Sequence, residues 1–168
     1  RNEMETANEL DMLVSRQLLA KDRNKFQFSH DLVRKATAAA ISPMRFTLLH
    51  GRAGRALERF EPEAAAAIAY HYQVSGAWDK ALKYSRRAAE QAEALFAWQE
   101  AIILYAGMLN LVDQIDPEHA QTEMLELSGV IFGKLILLDH NLGKLTQQGE
   151  RIQQLEQLVA LSQDKPLE

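Results

Sequence analysis

Ala77-Trp78-Asp79-Lys80-Ala81-Leu82 returns twenty residues later as Ala97-Trp98-Gln99-Glu100-Ala101-Ile102. Each copy opens a stretch whose less polar residues step by three and four. In the first they are Trp78, Ala81/Leu82, Ser85, Ala88/Ala89 and Ala92; in the second Trp98, Ala101/Ile102, Tyr105, Met108/Leu109 and Val112. That spacing predicts two helices, over 78–94 and 97–113, each burying one face. Gly76 precedes one copy and Leu95-Phe96 the other, so the chain is punctuated at the same place twice. An Ala-rich bundle can produce such a match by chance; the shared punctuation favours a repeat, in which successive helices begin alike and stack antiparallel. Inward-facing Ala lets helix axes approach closely, and the aromatic residue at each start fills the wedge beside the turn.

Working outward, Pro43 follows Ser42 as a first-turn proline, and Phe46, Leu49, Ala53, Ala56 and Phe60 make one apolar stripe on the helix it opens. Glu61-Pro62 ends that helix, and residues 63–75 form the next, with Gly76 as its terminating glycine. Downstream, Asp116-Pro117 predicts a further helix start. Its helix carries one apolar row at Ala120, Met124, Leu127, Ile131, Leu135 and Leu138 and a second at Leu125, Phe132 and Ile136. The second row implies either neighbours on both sides or a partner surface. Gly129 and Gly133 have the spacing for close helix packing. A Gln-rich last helix over about 144–162 places Leu145, Ile152, Leu155 and Val159 on one side, as a terminal cap. Upstream, residues 5–19 read as helix. Leu18 to Phe28 reads as a β-hairpin with its tip at Lys21–Lys25, since Phe26-Gln27-Phe28 alternates with period two. A helix over 31–41 follows. Helix, two-stranded wing and helix are the closing half of a winged helix.

The fold class is therefore all-α: an antiparallel helical-hairpin array over 43–168, superhelical and tetratricopeptide-like, preceded over 1–42 by a partial winged helix with one short β-hairpin. Composition agrees, with eight Gly and four Pro among 168 residues and 47% hydrophobic residues. With no cysteine there is neither a disulfide nor a thiolate metal site, and a cytoplasmic location is expected. No apolar run reaches the ~18–20 residues of a membrane span. Residues 1–60 hold eleven Lys/Arg against seven Asp/Glu and residues 61–168 hold eight against sixteen, a basic head on an acidic body.

Phe26-Gln-Phe-Ser-His-Asp-Leu-Val-Arg-Lys-Ala36, Ser42-Pro43 and Leu49-His50-Gly-Arg-Ala-Gly-Arg-Ala-Leu57 together resemble a signature of large signal-transducing ATPases. LuxR-type ATP-dependent transcriptional regulators and similar cyclase- or kinase-linked regulators share it. Ala67-Ile-Ala-Tyr-His71-Tyr72 and Ser75-Gly76-Ala-Trp-Asp-Lys-Ala81 resemble the first helical repeat of the same proteins. The resemblance spans about residues 10–112. It implies a winged-helix end followed by a tetratricopeptide-like array, with an ATPase upstream and outside this chain. The spacing of twenty departs from regular 34-residue repeats, and residues 117–168 carry no part of the resemblance.

Catalytic chemistry finds no anchor in the sequence. Gly133-Lys134 and Gly143-Lys144 are each followed by Leu and lack a glycine five residues earlier, so neither is a phosphate-binding loop. His30, His50, His71, His119 and His140 have no helical metal pairing, and His30 and His71 read as packed histidines. No catalytic, metal or cofactor residue is assigned. The expected function is a non-catalytic interaction and sensing module. Its partner is a protein, the upstream ATPase of the same chain or a small-molecule inducer, and Tyr70, Tyr72, Trp78 and Trp98 are the candidate contacts. The alternative is nucleic-acid binding by the hairpin tip through Lys21, Arg23 and Lys25. No membrane partner is expected.

Overall fold

The computed structural model describes residues 2–23, 25–117 and 122–163. Two compact units make up the chain, Arg1–Phe46 and Thr47–Glu168.

In the first unit α1 (Glu3–Ser15) leads into β1 (Leu19–Asp22) and β2 (Lys25–Phe28), followed by α2 (Asp31–Ala39). The strands pair antiparallel, Leu19 with Phe28 and Lys21 with Phe26, so pairing extends into the stretch expected to be the tip. Asn24, part of that expected tip, lies outside the described residues. No described residue of this unit is buried. Met4, Met12, Phe26, Phe28, Leu32 and Met44 are all exposed.

Helix α3 (Pro43–Phe60) begins at the expected proline, with the Ser42 hydroxyl accepting from the Arg45 backbone N–H at 3.4 Å. The second unit continues with α4 (Ala65–Val74), α5 (Trp78–Ala94), α6 (Trp98–Ile115), α7 (Thr122–Asn141) and α8 (Leu145–Gln163). Consecutive helices from α4 onward pack on one another. Polar bridges also join helices two apart. Lys80 of α5 reaches Glu58 of α3, Lys134 of α7 reaches Glu93 of α5, and Lys144, just before α8, reaches Gln99 of α6. These bridges tie α3 to α5, α5 to α7 and α6 to α8.

The turns explain this regularity. Gly76, Phe96 and Gly143 each adopt a left-handed backbone, with φ of 74°, 57° and 68°. The N–H three residues past each helix end then bonds back to the carbonyl five residues earlier: Ala77 to Tyr72 at 3.0 Å, Ala97 to Ala92 at 2.9 Å and Lys144 to Asp139 at 2.8 Å. This is the Schellman closure, and it reverses the chain within two or three residues. The six-residue signature marks two of these turns. The third, at Gly143, uses the same backbone with different side chains.

Both copies of the signature occupy equivalent settings. Trp78 and Trp98 sit at first helical positions, half-buried, while Ala81 and Ala101 are fully buried. Ala65, Ile68, Ala69 and Tyr72 of α4 form one core cluster with Ala81, Tyr84 and Ala88 of α5, which Leu111 of α6 joins. Ala89 and Ala92 belong to a second, with Ala101, Ile102, Tyr105, Met108 and Val112 of α6 and Ile131, Leu135 and Leu138 of α7.

Three expectations need correction. On α3, Leu49, Ala56 and Phe60 are exposed, and the buried positions are Gly51 and Gly54. A Cβ on Gly54 would stand 3.2 Å from the Tyr72 ring and one on Gly51 3.4 Å from Ser75 Cβ, so this contact is made backbone to side chain. Gly129 and Gly133, expected at a close approach, have nothing within 4 Å of a Cβ. On α8, Leu145, Ile152 and Val159 are exposed, and the half-buried row runs through Gln148, Arg151, Leu155 and Leu158. Arg151 sits there because its guanidinium meets Asp139 of α7 at 2.8 Å, a carboxylate only 1% exposed. Asp116 closes α6, its N–H bonding to Val112 at 2.8 Å, and the described part of α7 starts at Thr122; the expected helix start after Pro117 and Ala120 of the expected row lie outside the described residues. The second apolar row resolves in favour of flanking helices, because Leu125 is buried and Phe132 and Ile136 are half-buried in a helix packed on both α6 and α8.

Candidate functional site

The densest polar constellation lies where α3, α4 and α5 meet. Glu58 projects from the last turns of α3, Tyr72 from the C-terminal half of α4, and Lys80 and Tyr84 from the first two turns of α5. The Glu58 carboxylate accepts from the Tyr84 hydroxyl at 2.8 Å on Oε1 and from Lys80 Nζ at 2.9 Å on Oε2, which also takes the Tyr72 hydroxyl. Lys80 Nζ further donates to the Tyr72 hydroxyl at 3.1 Å and stands 4.8 Å from that ring's centroid. Three donors converge on one carboxylate, so the Tyr72, Lys80 and Tyr84 bonds hold its pKa down to about 2. The same bond to Glu58 raises Lys80 and Tyr84, while burial is the main cause of the rise at Tyr72. An ionised carboxylate engaged by three donors is a fastening point between α3, α4 and α5.

About two turns earlier on α3, His50 Nδ1 stands 3.2 Å from His71 Nδ1, and the Tyr70 ring meets both imidazoles edge-on at 5.5 Å. Burial, with the charge of His50 second, lowers the pKa of His71. Among the described residues no three His, Asp or Glu side chains come close enough to hold a metal ion.

The candidate partner contacts separate into different environments. Tyr70 is 55% exposed, while Tyr72 is 2% exposed and leaves no face for a partner. Trp78 and Trp98 are half-buried on the core, the latter edge-on to Phe96 at 5.2 Å, and Phe96 itself is 75% exposed. In the sequence Phe96 reads only as punctuation; its place opposite Gly76 in the repeat marks it as an aromatic forced outward by a left-handed turn.

On the hairpin, Lys21 lies 5.9 Å over the Phe26 ring, Arg23 carries a positive φ at the turn, and Lys21, Arg23 and Lys25 are all exposed. Nearby in sequence, Asp31 engages Arg34 at 2.6 Å and Lys35 at 2.8 Å, which offsets the positive charge of α2. Of the histidines, His119 lies outside the described residues, and His30 precedes α2, where its backbone carbonyl takes the first turn.

No described helix is long and apolar enough to cross a membrane. No family model, curated protein or solved structure matches the chain.

Proposed function

We propose that the chain is a non-catalytic interaction and sensing module of a larger ATP-dependent signal-transduction or transcriptional regulator working in the cytoplasm. The observation that carries this reading is the thrice-repeated Schellman turn, which builds a stack of near-equivalent helices whose neighbours touch in series. A ligand seated on such a stack biases several helix contacts at once, because each element packs chiefly on those beside it. Tyr70, Trp78, Trp98 and the outward-facing Phe96 are the aromatic contacts offered to a protein partner. The first unit supports a coupling role toward an upstream ATPase, since its six exposed apolar side chains need a covering surface. Reading the coding sequence upstream of Arg1 tests the proposal. A phosphate-binding loop and its acidic metal-binding strand are expected there; their absence overturns the regulator reading.

The exposed basic hairpin favours a second reading, nucleic-acid binding through Lys21, Arg23 and Lys25. It requires salt-sensitive retardation of duplex DNA that weakens when the three become Ala. No mobility shift at low salt removes it.

A further inference from the structure

Tyr105 is 4% exposed, yet its hydroxyl has no hydrogen-bond partner among the described residues. Every other buried tyrosine has one: Tyr72 and Tyr84 both donate to Glu58. A buried phenol left unpaired is costly unless something outside the protein completes it. Tyr105 lines a pocket of about 40 Å³ between α5, α6 and α7. Arg86 and Glu90 of α5 and Lys134 of α7 share that pocket, with Met108 and Ile131 as apolar wall. Such a volume exceeds the roughly 10–15 Å³ that one water requires and suits a group of a few atoms.

Donors outnumber acceptors here. Arg86 uses Nε on Glu90 at 3.0 Å, which leaves its terminal amino groups; Lys134 spends two contacts on Glu93 at 2.8 and 3.2 Å and retains a third proton. The phenol stays a donor, because burial first and the Glu93 charge second raise its pKa. Glu90 is the one carboxylate in the lining. An incoming acceptor with negative charge therefore meets three donors from three helices, and a short aliphatic stem suits the Met108 and Ile131 wall.

We propose that this pocket binds the carboxylate end of a ligand carrying a short aliphatic stem, with Tyr105 donating the central hydrogen bond and Arg86 and Lys134 flanking it. The inference rests on the sensing-module reading and names the chemistry that is sensed. Because α5, α6 and α7 each contribute, occupancy ties together three consecutive helices of the stack.

Two sources present this chemistry, a free short-chain acid and the C-terminus of a peptide ending in a small aliphatic residue. Two-dimensional amide NMR of the intact chain, titrated with isobutyrate, with acetyl-Gly-Val and with the same peptide amidated at its C-terminus, distinguishes them. Saturable shifts are expected on Tyr105, Leu127 and Lys134 for the first two ligands and none for the amide. Tighter binding of acetyl-Gly-Val assigns a peptide C-terminus, and equal or weaker binding assigns a small acid; either outcome supports the site. Tyr105→Phe keeps the ring and is expected to weaken binding about tenfold, the loss of one hydrogen bond to a charged acceptor. Lys134→Gln, on a half-buried side chain, gives a second and independent loss. Absence of saturable shifts at these residues overturns the proposal, as does binding unchanged in both variants. Either failure leaves the module reading intact, because the sequence upstream of Arg1 decides that separately.

Discussion

Glu58 draws three donors onto one carboxylate, and its chemistry gives a pH signature. The folded pKa of about 2 lies below the ordinary 4.5, so the carboxylate favours folding above pH 4.5, and that contribution is lost as pH falls from 4.5 towards 2. Glu58→Gln is expected to flatten the acid limb of a Tm-against-pH curve and to cost about 1–3 kcal/mol at neutral pH, read by urea unfolding. His71 acts in a higher window. With its folded pKa lowered by burial, the unfolded chain takes up the proton first, so stability declines as pH drops through the ordinary 6.5. In His71→Gln that decline between about pH 7 and 5 is expected to shrink, which the same melting curves measure. Neither feature was legible in the sequence. Glu58 lies 14, 22 and 26 residues from Tyr72, Lys80 and Tyr84, separations at which no periodicity operates.

At the scale of elements, backbone conformation decides more than hydropathy does. Gly76 holds φ at 74°, and a Cβ there is strained whatever the surroundings; Gly76→Ala is expected to cost about 1–2 kcal/mol. Gly133, in mid-helix with open space around a Cβ, behaves oppositely, and Gly133→Ala is expected to gain about 0.5–1 kcal/mol. Paired chemical denaturation of the two variants checks both signs. The Asp139–Arg151 pair joins α7 to α8, and Arg151→Ala strands a buried carboxylate at a cost of about 2–4 kcal/mol. Replacing both partners with Leu and Met, as Asp139→Leu and Arg151→Met, is expected to recover most of that loss in the same measurement.

These elements also show what could be read in advance. The Trp78 and Trp98 signature yielded two turns and the bounds of α5, because a large side chain at a helix start is conspicuous in sequence. The turn at Gly143 is legible as the boundary before the last helix, expected at about 144, but not as a third copy of the repeat, because its backbone recurs without that side chain. The α3 stripe misled because glycine, where the helix makes its closest contacts, carries no hydropathy. The α8 row misled because Arg151 buries its stem to reach a carboxylate, so the packed face is partly charged.

Taken whole, the molecule divides its stability unevenly. Every buried residue among those described belongs to the second unit, while the first consists of short elements around a two-stranded sheet. Amide exchange is expected to be fast throughout α1, β1, β2 and α2 and slowest in α5 and α6, whose ends share two core clusters; mass-spectrometric exchange of the intact chain measures the contrast. Uniform protection across both units would contradict it.

Met4, Met12, Phe26, Phe28, Leu32 and Met44 are exposed on a unit with no buried described residue, so its stability is open to whatever covers them. Any surface that caps them stabilises the ordered form by mass action, in proportion to the logarithm of its concentration over its dissociation constant. The proportion of molecules with an ordered head thus becomes a gauge of how much capping surface is at hand.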